Sequence, residues 1–274
     1  MRINTNMSSQ FAQRALSGHS KQVESTTGRL SSGTRVRTAA DDAANMAIGV
    51  KSSSHSRSQG QALRNANDSI SELQVAEGSL NEVSAILTRM KELSIQAASD
   101  TQDDSTRALL NIDYMQMRRE IVRITGGAKF KDQSVFSPPK NTREFMIGTD
   151  NHATSKITLD DNDFTLNEFN LGIVDSSVIN QDEARENLKY IDKAIDKVSG
   201  VRAKIGSYQT RISSSISNLD VARQNELSAN SQRMDTDYAH ETSELVNGKM
   251  KVNAANAILS QANHLGKGAL RLLD

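Results

Sequence analysis

Through the last thirty residues of this chain, large and small apolar positions alternate at spacings of three and four. Leu245, Val252, Leu259 and Leu273 fall on one heptad row, and Gly248, Ala255, Ala262 and Ala269 form a parallel row of small residues. An average spacing of 3.5 keeps one seam of a helix against a partner, and the small row lets that partner come close. Ile258, Leu265 and Leu272 widen the apolar face beyond what a single partner covers. This helix is therefore expected to need other chains to bury it. Residues 1–35 carry a weaker stripe, Leu16, Val23 and Leu30 at sevens, with Met7 and Phe11 one turn apart before it. Such a helix is marginal alone, and the C-terminal helix is its expected partner.

Between the ends, the same spacing recurs. From Ala43 to Ser99 it reads Leu73, Ala76, Leu80, Val83, Leu87, Met90, Ser94 and Ala97, with Ile86 and Leu93 as a second row. A third helix is expected to run to about Thr125, with Leu110, Tyr114, Met117, Ile121 and Ile124 on one face and Gly126 and Gly127 ending it. From Glu183 to about Arg233, one row holds Ile191, Val198, Ile205, Ile212 and Leu219. The other holds Leu188, Ile195, Arg202, Gln209, Ile216 and Arg223, where polar members fix register at a cost in stability. The seams at 73–97 and 188–219 are expected to pack on each other within one subunit. Residues 128–180 differ: Phe, Val, Ile and Thr gather between Pro, Gly, Asn and Asp. The stretch 143–159 reads as two short strands around Gly148, Asp150 and Asn151. This region is expected to carry the exposed outer surface.

The predicted fold is mainly α. Long heptad helices form an elongated bundle, the terminal helices pair, and a small β-hairpin region lies at about 128–180. The predicted division is a terminal coiled-coil domain, 1–40 with 235–274, and a helical domain, 41–234. Gly33 sits where a C-cap glycine belongs, and Asp41 and Asp42 stand before an Ala-rich run where acidic residues suit a helix start. The alternative for those two carboxylates is a metal pair, but adjacent residues point to different sides of a helix and no further ligands lie nearby. The stretch LDDNDF, 159–164, invites a calcium reading, yet it lacks the glycine and distal Glu of an EF-hand loop.

Composition narrows the function. Aromatics make up 4% and apolar residues 36%, thin material for a thick core but enough for narrow helical seams. Lys plus Arg equals Asp plus Glu, 33 each, which argues against a nucleic-acid partner. No run of apolar residues is long enough to insert in a membrane, and residues 1–16 contain no signal-peptide core. There is no cysteine. Histidines 19, 55, 152, 240 and 264 are scattered, and His240-Glu241 is not completed to HExxH because Glu244 stands in the last place. Nothing in the pattern nominates a catalytic residue, a metal site or a cofactor, so an enzyme is not expected.

Several long motifs then appear in order: RLSSGTRVRTAADDAANMAI, RNANDSISELQVAEGSL, LTRMKELSIQAASD, MDTDYAHETSEL and LSQANHLGKGALRLL. Over about 1–136 and 180–274 the chain resembles bacterial flagellin. The resemblance implies a subunit exported unfolded through the flagellar type III apparatus, without a cleaved signal, that polymerises beneath a cap into the extracellular filament. It implies coaxial terminal helices lining a central channel, and partners that include further copies, alone or with other flagellins, cap and junction proteins, and an export chaperone. Outer variable domains are expected to be absent. The polymer interface is expected at Leu16, Val23, Leu30, Leu245, Val252, Ala255, Leu259, Ala262, Leu265, Ala269 and Leu273. The seam within the subunit is expected at Leu73, Leu80, Leu87, Met90, Ile191, Val198, Ile205, Ile212 and Leu219. In the segment the family presents to an immune receptor, Arg89 and Leu93 match and Thr88 departs. Two rival readings are a hook–filament junction protein, a relative that shares helical ends, and an unrelated helical binding protein.

Overall fold

The computed structural model of the chain describes residues 6–136, 142–150, 152, 155–160, 164–166, 168–174 and 176–271. Among the described residues five long helices carry it: α1 (Met7–Ser32), α2 (Ala43–Ala97), α3 (Asp104–Gly127), α5 (Gln181–Met234) and α6 (Tyr238–Arg271), with a single turn, α4 (Glu168–Leu171). The strands β1 (Lys129–Phe130), β2 (Gln133–Ser134), β3 (Thr142–Met146) and β4 (Lys156–Asp160) make two antiparallel hairpins where the sequence pattern indicated one. In the second hairpin, Glu144 pairs with Thr158 and Phe145 with Ile157. The missed hairpin turns through Lys131 and Asp132, both at positive φ. Neither is glycine or asparagine, so the usual turn signal is absent.

Caps set the helix boundaries. Asn6 accepts from the Ser9 N–H at 3.0 Å, Asp42 from Asn45 N–H at 2.9 Å, and Asp237 from Ala239 N–H at 2.9 Å. Gly33 ends α1 in the left-handed region, φ 70°. Asp41 closes the loop before α2 by accepting from Thr38 N–H at 3.0 Å. These hydrogen bonds, from Thr38 to Asp41 and from Asn45 to Asp42, hold both carboxyls below the usual range. The pair therefore orders a helix start. In the stretch 159–164, residues 161–163 lie outside the described residues.

Asp103 caps α3, accepting from the Ser105 hydroxyl and from Thr106 N–H, and its pKa is lowered from 3.8 to about 2. A carboxyl whose folded value lies below its unfolded one contributes stability above the unfolded pKa and loses it as pH falls towards the folded one. Asp103→Ala should accordingly lower the melting temperature at pH 7 by roughly 2–4 °C. The difference should shrink between pH 4 and pH 2 and vanish below. Melting curves of the two proteins across that range check it, and a pH-independent gap contradicts the capping role.

The chain divides into two compact units, Arg57–Arg223 and Met1–Ser56 with Gln224–Asp274, so the boundary falls inside α2 and α5. In the unit 57–223, Leu73, Leu80, Leu87, Met90, Ile191, Val198, Ile205 and Ile212 are buried in one continuous core, and Leu219 packs half-buried at its edge. Gln209 donates to Glu77 at 3.0 Å, Lys91 pairs with Asp192 at 2.6 Å, and Gln181 donates to the Ala98 carbonyl at 3.1 Å. These pairs run α5 antiparallel to α2. Tyr114 and Ile121 of α3 are buried against the same core, with Leu110, Met117 and Ile124 partly so.

Two expectations need correction. The second row of α5 is Asn187, Ala194, Val201 and Tyr208, of which the first three are buried and Tyr208 half-buried; Leu188, Ile195 and Ile216 lie half-buried on the flank and Arg202 is exposed. Small residues at 194 and 201 admit close approach, and that outweighs the larger apolar residues one position later. The region 128–180 is likewise more than an outer surface. Val135, Phe136, Ile147, Ile157, Leu159, Phe164, Leu166, Ile173 and Val178 are all buried in the core. Arg143 ties this region to α2 by pairing with Glu72 while donating to the Val135 carbonyl at 2.6 Å.

Candidate assembly surface

In the terminal unit, α1 and α6 form an antiparallel two-helix pair. Asn6 donates to the Ala262 carbonyl at 2.9 Å, Ser9 meets Asn263 at 3.0 Å, and Arg29 pairs with Glu241 at 3.2 Å. At the other end, Arg35 N–H donates to the Met234 carbonyl at 2.7 Å and Thr236 N–H to the Gly33 carbonyl at 3.0 Å. The end of α1 is thus clasped to the α5–α6 junction. Glu241 is nearly buried, so removing Arg29 would leave a carboxylate without its cation.

The seam has a small-to-large logic. Ser9, Ala12 and Thr26 are buried on α1, and Leu16, Val23 and Leu30 are half-buried between them. On α6, Gly248, Ala255 and Ala262 are buried, and Leu245, Val252 and Leu259 half-buried. A Cβ on Gly248 would stand 2.8 Å from the Val23 Cγ2, which is why the position is a glycine. Those of the residues expected at the polymer interface whose side chains are described are therefore placed between two helices of one chain, with the smaller part of each large side chain still accessible. Leu265 and Ala269 lie where side chains are not described, and Leu273 lies outside the described residues.

Other apolar side chains of this unit face outward. Phe11 is 63% exposed, Ile258 60%, Met250 57%, Val246 56% and Met7 49%. No contact within the chain covers them to the extent that a core would. Phe11 and Met7 were legible as a pair one turn apart, and Ile258 as the start of a second row. Val246 and Met250 carry no such signal, because they sit off both rows.

Among the described residues, no group of three His, Asp or Glu could hold a metal ion, and no helix is long and apolar enough to cross a membrane. Arg89 is exposed and pairs with Glu92 at 2.8 Å, and the Thr88 hydroxyl donates to the Ser84 carbonyl at 2.9 Å. Leu93 is only 2% exposed, turned into the core of its unit, and offers no surface to a receptor.

Residues 3–140 match the family described as the bacterial flagellin N-terminal helical region, and residues 188–273 match the bacterial flagellin C-terminal helical region. The chain belongs to the bacterial flagellin family. It is 33% identical to a flagellin of Halalkalibacterium halodurans over 273 residues, and 32% identical to the flagellar filament 33 kDa core protein of Treponema phagedenis over 289, with all of both chains covered in each case. Against the crystal structure of Bacillus cereus flagellin the TM-score is 0.50 at 27% identity, covering 57% of this chain and 88% of that one. A flagellar hook-associated protein from Vibrio parahaemolyticus, described as putative, shares the fold: TM-score 0.58 at 14% identity, covering 71% of this chain and all of that one. This flagellin is a structural subunit of the flagellar filament and serves motility. Nothing favours the junction-protein reading over it.

Proposed function

We propose that this subunit polymerises through its terminal unit. The α1–α6 pair presents Phe11, Val246, Met250 and Ile258 to neighbouring copies, and the seam residues Leu16, Val23, Leu30, Leu245, Val252, Ala255, Leu259 and Ala262 set the shape that those copies meet. Leu265, Ala269 and Leu273 extend the same stripe. The observation that carries the reading is the outward apolar face on a two-helix pair. A monomer rarely leaves such a face open unless a partner covers it. The 57–223 unit, with its own continuous core, supplies the stiff body of each subunit.

Around this lies the family setting. The subunit is exported through the flagellar apparatus with the help of a chaperone, is added beneath a cap, and stands on junction proteins. The filament is an extracellular polymer of this chain, alone or with other flagellins.

Electron microscopy of the purified chain tests the reading. The chain should form long helical filaments. Phe11→Asp should prevent them while leaving the melting curve of the isolated chain within about 2 °C of the parent, because the side chain is exposed before assembly. Normal filaments from the variant would remove the outward face from the interface.

A further inference from the structure

Methionine chemistry singles out one position on the outward face of the terminal unit. Of the methionines whose side chains are described, Met46, Met90, Met115, Met117, Met146 and Met234 are buried or half-buried. The Met234 sulfur is packed so closely that a Cβ on Gly49 would stand 2.6 Å from it. Among the described residues only Met7 and Met250 are exposed. Met7 is the first residue of α1, with Phe11 beside it on one side. Met250 lies within α6, in a stripe with an apolar neighbour on either side. Val246, Met250, Ala254 and Ile258 follow one another at intervals of four and are all exposed, and residues four apart on a helix lie side by side.

We propose that the Met250 sulfur is a site of reversible oxidation that withholds the subunit from assembly. The role rests on the outward face being the surface that neighbouring copies cover. The oxidant is a peroxide. The thioether gives an electron pair to one oxygen of hydrogen peroxide. A sulfur–oxygen bond forms, the oxygen–oxygen bond breaks, and the second oxygen leaves with both hydrogens as water. The sulfur is oxidised by two electrons and the peroxide is reduced. A thiol-dependent sulfoxide reductase reverses the change, taking two thiols to a disulfide and releasing the oxygen as water.

Oxidation turns a flexible apolar side chain into a polar one that accepts hydrogen bonds. On the isolated chain the new oxygen meets water, so the fold is indifferent to it. Under a neighbouring copy it is shut away from water on a stripe whose Val246, Ala254 and Ile258 side chains have no donor to offer. A polar group buried without a partner opposes the contact that buries it.

Hydrogen peroxide, applied to the isolated chain until mass spectrometry shows an added oxygen on Met250, tests the switch. The treated parent should need roughly tenfold more protein for filament growth and should melt within about 2 °C of the untreated chain. Met250→Leu keeps the apolar bulk. It should assemble like the parent before treatment and lose less than about threefold after it. Met7→Leu should stay as sensitive as the parent. The two epimer-specific methionine sulfoxide reductases, with dithiothreitol, should restore growth of the oxidised parent. A fully oxidised parent that grows as well as the untreated one overturns the proposal. So does a Met250→Leu variant that loses as much on treatment as the parent, which would place the effect on another methionine. If the untreated parent forms no filaments, the assembly reading falls together with the switch; if it assembles and oxidation leaves growth unchanged, only the switch falls.

Discussion

Ile212→Asp should lower the melting temperature of the isolated chain by on the order of 10 °C and abolish filament growth. Ile212 is fully buried in the 57–223 core, on the α5 row that begins at Ala184 and continues through Ile191, Val198 and Ile205. Two costs add. Losing the apolar bulk of a buried Ile costs about 2–5 kcal/mol in a core that relaxes only partly. The carboxylate that replaces it has no cation or donor built to receive it, and a buried unpaired charge costs several kcal/mol more or is neutralised by taking up a proton. The second cost gives the variant a signature of its own. A buried Asp binds its proton more tightly when folded than when unfolded, so the variant should regain part of its stability as pH falls from about 7 to 5. Melting followed by far-ultraviolet circular dichroism at both pH values checks the pair of expectations. A shift below about 2 °C at pH 7 would mean that the α5 row does not hold the unit together.

Filament growth in that variant fails for a simple reason: the subunit body is lost. The pattern that reveals this body was plain in the sequence, because heptad spacing over four or more repeats has few readings other than a shared helical seam. Every position of the series Leu73, Ala76, Leu80, Val83, Leu87, Met90, Ser94, Ala97 is buried. What the pattern could not decide was which neighbour of the strong α5 row completes the seam. Leu188 and Ile195 are more apolar than Asn187 and Ala194, yet the smaller pair is buried. Close approach of two backbones rewards small volume, which a hydropathy reading does not see. The region 128–180 was obscure for a different reason. Its core residues come in short pairs between polar turns, such as Val135 with Phe136, Phe164 with Leu166 and Leu171 with Ile173, too short to show a period, and only the tertiary fold gathers them into one core.

The candidate assembly surface was half legible. Two apolar ends needing partners could be read directly, and their mutual pairing is the economical solution. The sequence did not separate residues that hold the pair from residues left for neighbours, because in a two-helix pair the heptad rows serve the first purpose and side chains off those rows serve the second. Phe11 and Met250 lie beside the rows, where an apolar residue is normally dismissed as incidental.

Removal of residues 245–274 separates these purposes. The truncated chain should form no filaments, and the melting of its 57–223 unit should stay within about 2 °C of the parent. The deletion takes away Gly248, Val252, Ala255, Leu259 and Ala262 from the seam, and Met250 and Ile258 from the outward face. Helix α1 then loses the partner that covers Ala12, Leu16 and Val23, and a 26-residue helix with so weak a stripe is marginal in water. Residues 7–32 should therefore lose helix, which hydrogen exchange would report as fast exchange confined to that stretch. The 57–223 unit is expected to be unaffected, since its core cluster contains no residue of α1 or α6. Leu259→Asp is the milder form of the same experiment: the side chain is only half-buried against α1 in the isolated chain, so a new carboxylate there stays within reach of water. Its effect on melting should fall well below that of Ile212→Asp, while the loss of filament growth should be as complete. If Leu259→Asp lowers the melting of the isolated chain as far as Ile212→Asp does, the terminal pair is already part of one cooperative body before assembly, and the separation of seam, outward face and subunit body argued from burial is wrong.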